Sequence, residues 1–282
     1  MVQAPPPAQV QADVARALAE DIGSGDVTAD LLPDGPARGY VIAREAAVLA
    51  GGPWFDASFL ALDPGWQVQW QVGEGDRIAA GQVACTFQGR ARAVVSAERC
   101  ALNFLQTLSA TATRTAEFVA AAAGTRTRIL DTRKTLPGLR VAQKYAVRAG
   151  GGHNHRMGLH DTMMLKENHI LAAGSIAAAA ARARDVHPGV PLVIEVESLD
   201  ELAQALGTGC ERILVDDFSE NDLRAAVVLA AGRTPLEVSG GVGLERVAAI
   251  AATGVDCISV GALTKHVRAV DFSMRLGEPP PA

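Results

Sequence analysis

Between Arg126 and His169 the chain gathers nine of its 26 Lys/Arg residues and four of its six histidines, against three acids: Asp131, Asp161 and Glu167. The whole chain is nonetheless acidic, with net charge −5 and a pI near 5.7. A cationic island on an acidic protein suits a small polyanion, drawn into a cleft and gripped by forked, charge-assisted hydrogen bonds. Arg140, Lys144 and Arg148, spaced at i, i+4 and i+8, read equally well as a solvated helix face. Arg133, Lys134, Arg156 and Lys166 do not, because they stand beside apolar strands or glycine turns. Lys166 follows Met163, Met164 and Leu165, so it is expected to be buried against an anionic partner. Glu195, inside the apolar run LVIEV, needs a cation, a metal or a sugar hydroxyl for the same reason. His155, in GGGHNHR, matches no standard zinc spacing with His153 or His160. It is read as a hydrogen-bonding partner of a carboxylate or an aromatic acid.

Elements that position these residues emerge after Gly124. Short apolar strands are expected at Thr127–Thr132, Thr162–Lys166, Leu192–Val196, Arg212–Val215, Leu236–Ser239 and Cys257–Val260. Alanine-rich helices alternate with them at Leu139–Ala149, Ser175–Val186, Asp200–Leu206, Glu220–Ala231 and Leu244–Ala252. Strand–helix repetition implies a parallel α/β sheet, and this many units imply a barrel, closed or nearly so. Active sites of such barrels lie at the C-terminal strand ends. Those ends carry Arg133-Lys134, Lys166, Glu195 with Glu197, Asp216-Asp217, Ser239-Gly240-Gly241 and Gly261. All six strand ends are charged or glycine-bearing, a ring around one cleft. SGGVGLERV and SVGALT place glycines between a strand and a helix N-terminus, an arrangement that binds phosphate through backbone N–H groups. Tight turns are the ordinary alternative for those glycines.

The first third reads differently. Val10–Ala19 has helical spacing, and EDIGSGDVTAD is a polar glycine turn in which Asp26 caps or braces a loop. From Tyr40 to Gly89 the period shortens to two, giving strands at Tyr40–Arg44, Val48–Ala50, Trp66–Val72 and Gln82–Phe87. VGEGDRIAAGQVACTFQG resembles the hairpin of biotinyl and lipoyl carrier domains but lacks the modified lysine, so it is read as structural. An antiparallel sheet with a covering helix accounts for this region. Ser96 is expected to N-cap a long helix ending at Gly124. Arg99 and Asn103 share one of its faces, where Arg99 reads as a site residue or as a first-turn surface charge. Val267–Met274 reads as a helix returning to the first domain. The proline runs at residues 5–7 and 279–281 read as frayed ends.

Composition excludes several classes. Aromatics are 4% of the chain, too few for base-stacking platforms, and the acidic balance argues against nucleic acid. No apolar run approaches the roughly 20 residues that span a bilayer, and the N-terminus has no signal-peptide pattern. Cys85, Cys100, Cys210 and Cys257 form no CxxC pair and read as reduced thiols of a cytoplasmic protein.

The phrases EDIGSGDVT, ERCALNFLQTLSATAT, DTRKTLPGLR, KYAVRAGGGHNHRMGLHD, LKENHI, IEVES, LVDDF, SGGV and ISVGALT, running from residue 20 to residue 264, resemble the quinolinate phosphoribosyltransferase family. The resemblance implies a pentosyltransferase of NAD biosynthesis. It implies an α/β sandwich domain over 1–107, joined by 266–282, and an incomplete seven-stranded α/β barrel over 108–265. It implies a homodimer with shared active sites, acting on quinolinate and phosphoribosyl pyrophosphate with Mg²⁺. Carried onto this sequence, Arg99, Arg133, His155 and Arg156 would clamp the quinolinate carboxylates, with Arg99 coming from the neighbouring subunit. Lys134 and Lys166 would meet anionic groups of the substrates. Glu195 and Asp216 would meet the ribose hydroxyls and Mg²⁺ and stabilise charge at carbon 1. Ser239, Gly240, Gly241 and Gly261 would hold the 5′-phosphate. The competing reading is a paralogue of the same fold encoded with molybdate transporters. The complete TRK and NHR phrases argue against it.

Overall fold

The structure, a computed structural model, describes residues 2–280. The chain divides into two compact units. The first comprises the described residues up to Ala116, Leu136–Gly151, and those from His266 onward; the second comprises Glu117–Thr135 and Gly152–Lys265.

The first unit opens with α1 (Pro7–Ile22), whose N-cap is Pro6. Proline's fixed φ suits a first helical turn, where a missing N–H costs nothing. The proline run at 5–7 therefore starts a helix, not the frayed end expected. Val10, Val14 and Leu18 form the buried stripe of α1. There follow β1 (Pro36–Ala43), β2 (Ala47–Val48), α2 (Gly52–Leu60), β3 (Gln67–Trp70), β4 (Arg77–Ile78) and β5 (Val83–Arg90). β5 pairs antiparallel with β1 and β3, whereas β4 pairs with β2, so the carrier-like hairpin does not form. Phe59 stacks on Trp66 with ring centroids 3.9 Å apart at the centre of this core. Next comes α3 (Ala91–Ala121), which begins five residues before Ser96. Ser96 is thus not the N-cap; its hydroxyl donates to Asp26, which also accepts the Thr28 and Ala29 N–H groups and braces the polar turn.

The second unit is the repeat read from the sequence. Its strands are β6 (Arg128–Leu130), β7 (Met163–Leu165), β8 (Leu192–Val196), β9 (Arg212–Asp216), β10 (Leu236–Ser239) and β11 (Cys257–Ser259). In the chain, α4 (Arg140–Ala149) falls between β6 and β7. Then come α5 (Glu167–Ala173), α6 (Ile176–Val186), α7 (Leu199–Leu206), α8 (Glu220–Ala230), α9 (Leu244–Ala251) and α10 (Ala262–Lys265). The Ser175, Ser198 and Ser219 hydroxyls accept main-chain N–H groups at the starts of α6, α7 and α8. The six strands form one parallel sheet in the order β6-β11-β10-β9-β8-β7. Its ends do not close. A single parallel bridge between His153 and Leu130 stands beside β6, where a seventh strand would run.

Three expectations change. The range 108–265 does not stay whole, because α4 groups with the first unit. Ala142, Tyr145, Ala146 and Ala149 pack there with Val10, Val14 and Trp54. Lys144, on the same helix, is 1% exposed and leaves the solvated face that its spacing suggested. The helix expected over Val267–Met274 is instead β12 (Phe272–Leu276), antiparallel to β1. Val270, Phe272 and Met274 are buried with a period of two, and the open edge of β1 supplies the hydrogen bonds that decide the conformation.

Asp56, on α2, accepts a hydrogen bond from Trp70 Nε1, while its Oδ1 is buried without a partner among the described residues. Burial, offset in part by the Trp70 bond and reinforced by the charge of Glu74, pushes its carboxyl up to about 6. A carboxyl raised in this way favours the folded state fully below its unfolded pKa and loses that contribution as pH rises through about 6. Asp56→Asn therefore stabilises the protein above pH 6 by an amount on the order of 1 kcal/mol, and the gain fades towards pH 4. Urea midpoints at pH 8 and pH 4.5 check this; an equal shift at both pH values would remove the ionisation argument.

Candidate active site

In-register partners in a parallel sheet share a face. Glu195 lies beside Leu214, Leu214 beside Glu237, and Glu237 beside Cys257. Two residues further along the same face, Asp216 lies beside Ser239. The face that carries Glu195, Asp216 and Ser239 at its C-terminal end is thus continuous with a polar interior below.

At β7 and β8 the Lys166 ammonium meets both oxygens of Glu195, at 2.6 and 2.9 Å. Glu195 is 11% exposed and Lys166 43% exposed. Lys166 is therefore not buried as expected, since it stands at the mouth of the site, where α5 begins immediately after it. The His169 ring accepts the Lys166 main-chain N–H at 3.1 Å and fixes that corner. Glu197 is exposed and its N–H bonds to Glu201, so of the two glutamates only Glu195 faces the site.

β6 and β11 are neighbours, and their ends meet. The Lys134 carbonyl accepts the Thr264 hydroxyl at 2.7 Å. A Cβ on Gly261 would stand 3.0 Å from Lys134 Cδ, so the lysine stem lies across that glycine. At β10, Gly240 and Gly241 have φ of +101° and +57°. A Cβ on Gly240 would reach 3.0 Å from the Asp217 nitrogen and 3.3 Å from Asp216 Oδ1. Asp216 is thus held against a bare glycine turn whose backbone conformation glycine alone adopts readily.

A cleft of about 730 Å³ is lined by Arg133, Arg156, Met164, Lys166 and His169, among others. The Arg156 guanidinium donates to the Thr162 carbonyl at 3.1 Å and contacts Met164 Sδ at 3.7 Å. Burial first, and the positive charge of Arg133 second, lower its pKa from the ordinary arginine value. Two guanidiniums at one cleft are an arrangement that can receive a ligand with more than one negative charge. His155 lies behind this cleft, 8% exposed, with Nε2 at 3.3 Å from Glu237 and Nδ1 accepting the Arg156 N–H at 2.6 Å.

The second unit thus brings together Arg133, Lys134, Arg156, Lys166, Glu195, Asp216, Ser239, Gly240, Gly241 and Gly261 at the C-terminal strand ends, with His155 beneath. Arg99 belongs to the first unit and is exposed on α3. Sequence reasoning missed Asp131 and Glu237, both 0% exposed. Asp131 accepts the His155 N–H at 2.8 Å and Asn154 Nδ2 at 2.6 Å. Glu237 sits in the apolar strand LEVS, the same signal that singled out Glu195, but away from a strand end. Among the described residues, no group of three or more His, Cys, Asp or Glu is placed to hold a metal ion.

Residues 26–109 match the N-terminal domain of quinolinate phosphoribosyl transferase, and residues 111–275 match its C-terminal domain. The chain belongs to the quinolinate phosphoribosyl transferase family. A nicotinate-nucleotide pyrophosphorylase [carboxylating] of Mycobacterium leprae is 43% identical, over 93% of this chain and 95% of that protein. A probable enzyme of the same name from Bacillus subtilis is 39% identical, over 90% of this chain and 89% of its own. The solved structure of the nicotinate-nucleotide pyrophosphorylase from Francisella tularensis superimposes with a TM-score of 0.95 at 42% identity, covering 98% and 99% of the two chains. The family's mixed architecture, a parallel α/β sheet with a separate antiparallel sheet, is the one seen here. Among the described residues, no helix is long and apolar enough to cross a membrane.

In this member of the family, Gly240→Ala is expected to cost about 1–3 kcal/mol, because alanine at φ near +101° is strained and its methyl group meets the Asp217 backbone. Chemical denaturation measures the loss. An unchanged midpoint would show that the turn relaxes freely.

Proposed function

We infer that this chain transfers the phosphoribosyl group of phosphoribosyl pyrophosphate to quinolinate with loss of CO₂, giving nicotinate mononucleotide and pyrophosphate. The observation that carries the reading is the Arg133–Arg156 pair over a cleft in an acidic chain, within a family whose members bear that name. Quinolinate is a planar dianion with adjacent carboxylates, and forked guanidiniums match that shape. Arg133 and Arg156 are assigned to the carboxylates, and Lys134 and Lys166 to the anionic groups of both substrates. Ser239, Gly240, Gly241 and Gly261 are assigned to the 5′-phosphate, which suits turns offering N–H groups. We assign Arg99 to the site of a neighbouring subunit in a homodimer, since it is exposed and outside the barrel unit. Four buried free thiols fit a reducing cytoplasm.

In the reaction, the ring nitrogen of quinolinate forms a bond to carbon 1 of the ribose as the bond from carbon 1 to the pyrophosphate oxygen breaks. Positive charge grows at carbon 1, and Glu195 and Asp216 stabilise it. The carboxylate beside the ring nitrogen then leaves as CO₂, its bonding electron pair stays on the ring carbon, and a proton replaces it. Lys166 orients Glu195 through its two short contacts. Mg²⁺ would fit this donor set as a partner of the phosphoribosyl pyrophosphate, because that ion commonly needs only one or two protein carboxylates beside substrate phosphates. Asp216 and Glu195 are the carboxylates that would hold it, and it would supply positive charge against the leaving pyrophosphate.

Turnover of quinolinate with phosphoribosyl pyrophosphate tests the reading directly, and no nicotinate mononucleotide from the folded protein would overturn it. In calorimetry, quinolinate is expected to bind at least about 10²-fold more tightly than nicotinate, since a site built for two carboxylates leaves charges unmatched with one. Equal affinities would remove the dicarboxylate assignment. Glu195→Gln and Asp216→Asn keep shape and remove charge, and are expected to lower kcat by about 10²–10³-fold with little change in quinolinate binding. A raised KM for phosphoribosyl pyrophosphate with unchanged kcat would make them substrate holders instead.

A further inference from the structure

Beneath the strand ends lies a set of charges that the assigned roles leave idle. Glu237 on β10 is 0% exposed. Its Oε2 accepts Arg212 at 2.7 Å and stands 3.3 Å from His155 Nε2, while Oε1 has no hydrogen-bond partner among the described residues. A carboxylate so deep in a barrel is costly unless cations or donors face it. Burial raises its pKa, and His155, Arg212 and Ser259 together bring it below the ordinary value. The role of the set becomes visible at its upper end. Nδ1 of His155 accepts the Arg156 N–H, and an accepting ring nitrogen carries no hydrogen, so the ring N–H sits on Nε2, 3.3 Å from Glu237 Oε2. The His155 main-chain N–H is held in turn by Asp131. Residue 155 is tied on three sides to protein, and it does not line the cleft that Arg133 and Arg156 line.

We propose that Glu237, braced by Arg212, is a positioning residue for Arg156: it orients the His155 ring so that Nδ1 receives the Arg156 amide, and this fixes the guanidinium over the cleft. His155 then acts through Arg156 and not as a cation on the substrate. The inference rests on the reading of the cleft as the quinolinate site and adds to it how that site is held in shape. A displaced Arg156 weakens the dicarboxylate end, and the His155 variants alter no residue of β9 to β11, on which the phosphoribosyl end is built, whereas Glu237 itself lies on β10.

The test compares four variants with wild type, in steady-state kinetics and in calorimetric titration with quinolinate. His155→Phe is expected to raise the quinolinate KM and Kd by about tenfold or more, with the KM for phosphoribosyl pyrophosphate within about twofold. His155→Asn keeps an acceptor in the place of Nδ1 and recovers most of that loss. Glu237→Met is expected to reproduce the His155→Phe pattern, with Glu237→Gln, which keeps an acceptor oxygen, restoring part of it. If His155→Asn loses as much as His155→Phe, the ring acts on substrate itself and the proposal falls. It falls also if the variants raise both KM values together as stability drops, which marks a merely structural role. The His155 pair decides the matter even if Glu237→Met does not fold. Wild type that binds quinolinate without turnover would sink the functional reading alone, since the calorimetric comparison still stands. Wild type that binds no dicarboxylate would sink both.

Discussion

Holding the two cations Arg133 and Arg156 at one cleft is the constraint that the second unit is built to meet. Partial burial first, and the nearby charge of Arg133 second, raise the cost of charge on Arg156. Left on flexible loops, the two would swing apart into water. Main-chain anchors prevent this. Asp131, two residues before Arg133 at the end of β6, grips the Asn154 side chain and the His155 amide, and His155 grips the Arg156 amide. A buried carboxylate therefore ties the two arginine-bearing segments together from behind. On the proposed reading, an anion with two charges would meet both guanidiniums at once and be selected by its charge as well as its shape.

The open sheet determines where that ligand can sit. β6 and β7 are the two outer strands, and between them in the chain there is only a one-residue bridge at His153 in place of a further strand. Arg133 and Lys134 come after one edge strand, Lys166 after the other, and Arg156 comes from the segment between them. A closed barrel would fill that seam with strand backbone and side chains; here Arg133, Arg156 and Lys166 reach a cleft whose remaining lining is largely apolar residues of β7, α5 and α6. The carboxylates Glu195 and Asp216 come from β8 and β9, farther into the sheet, and the glycine turns from β10 and β11. Positive, negative and bare-backbone sectors succeed one another in strand order.

Much of this was legible in the sequence because parallel strands buried on both faces are short apolar runs, and the residues just past each run stand at the active end. DTRK, LKEN, IEVES, VDDF and VSGG could each be placed without a structure. The residues that escaped had particular causes. β12 alternates at Val270, Phe272 and Met274, but its pairing with β1 is more than two hundred residues distant and local spacing could not reveal it. Lys144 looked like one member of a solvated i, i+4 stripe, and only the packing of α4 with α1 and α2 residues shows it buried. Lys166 was expected inside because apolar residues precede it, yet the strand stops at Leu165 and the side chain emerges at the rim. Glu237 carried the same signal as Glu195, and attention to strand ends passed over it because its role is one layer below.

The proposed reading combines two ways of binding an anion at the strand ends, and the division would reflect the chemistry of the ligands. A phosphate monoester is compact, nearly tetrahedral, and satisfied by backbone N–H groups converging from a turn; Gly240 and Gly241 supply a concave turn with no side chain to obstruct it. Such a turn is rigid and recognises the group wherever it occurs, so it anchors and discriminates little. A pair of carboxylates on an aromatic ring is planar and specific in spacing, and only side chains with directional forks can report that spacing. Side chains are also the parts most easily displaced, which is why the arginine end is backed by the buried carboxylates Asp131 and Glu237 while the glycine end stands on main chain alone. On the proposed reading, rigidity is thus intrinsic where the ligand is common to many reactions, and is supplied from beneath where the ligand defines this one.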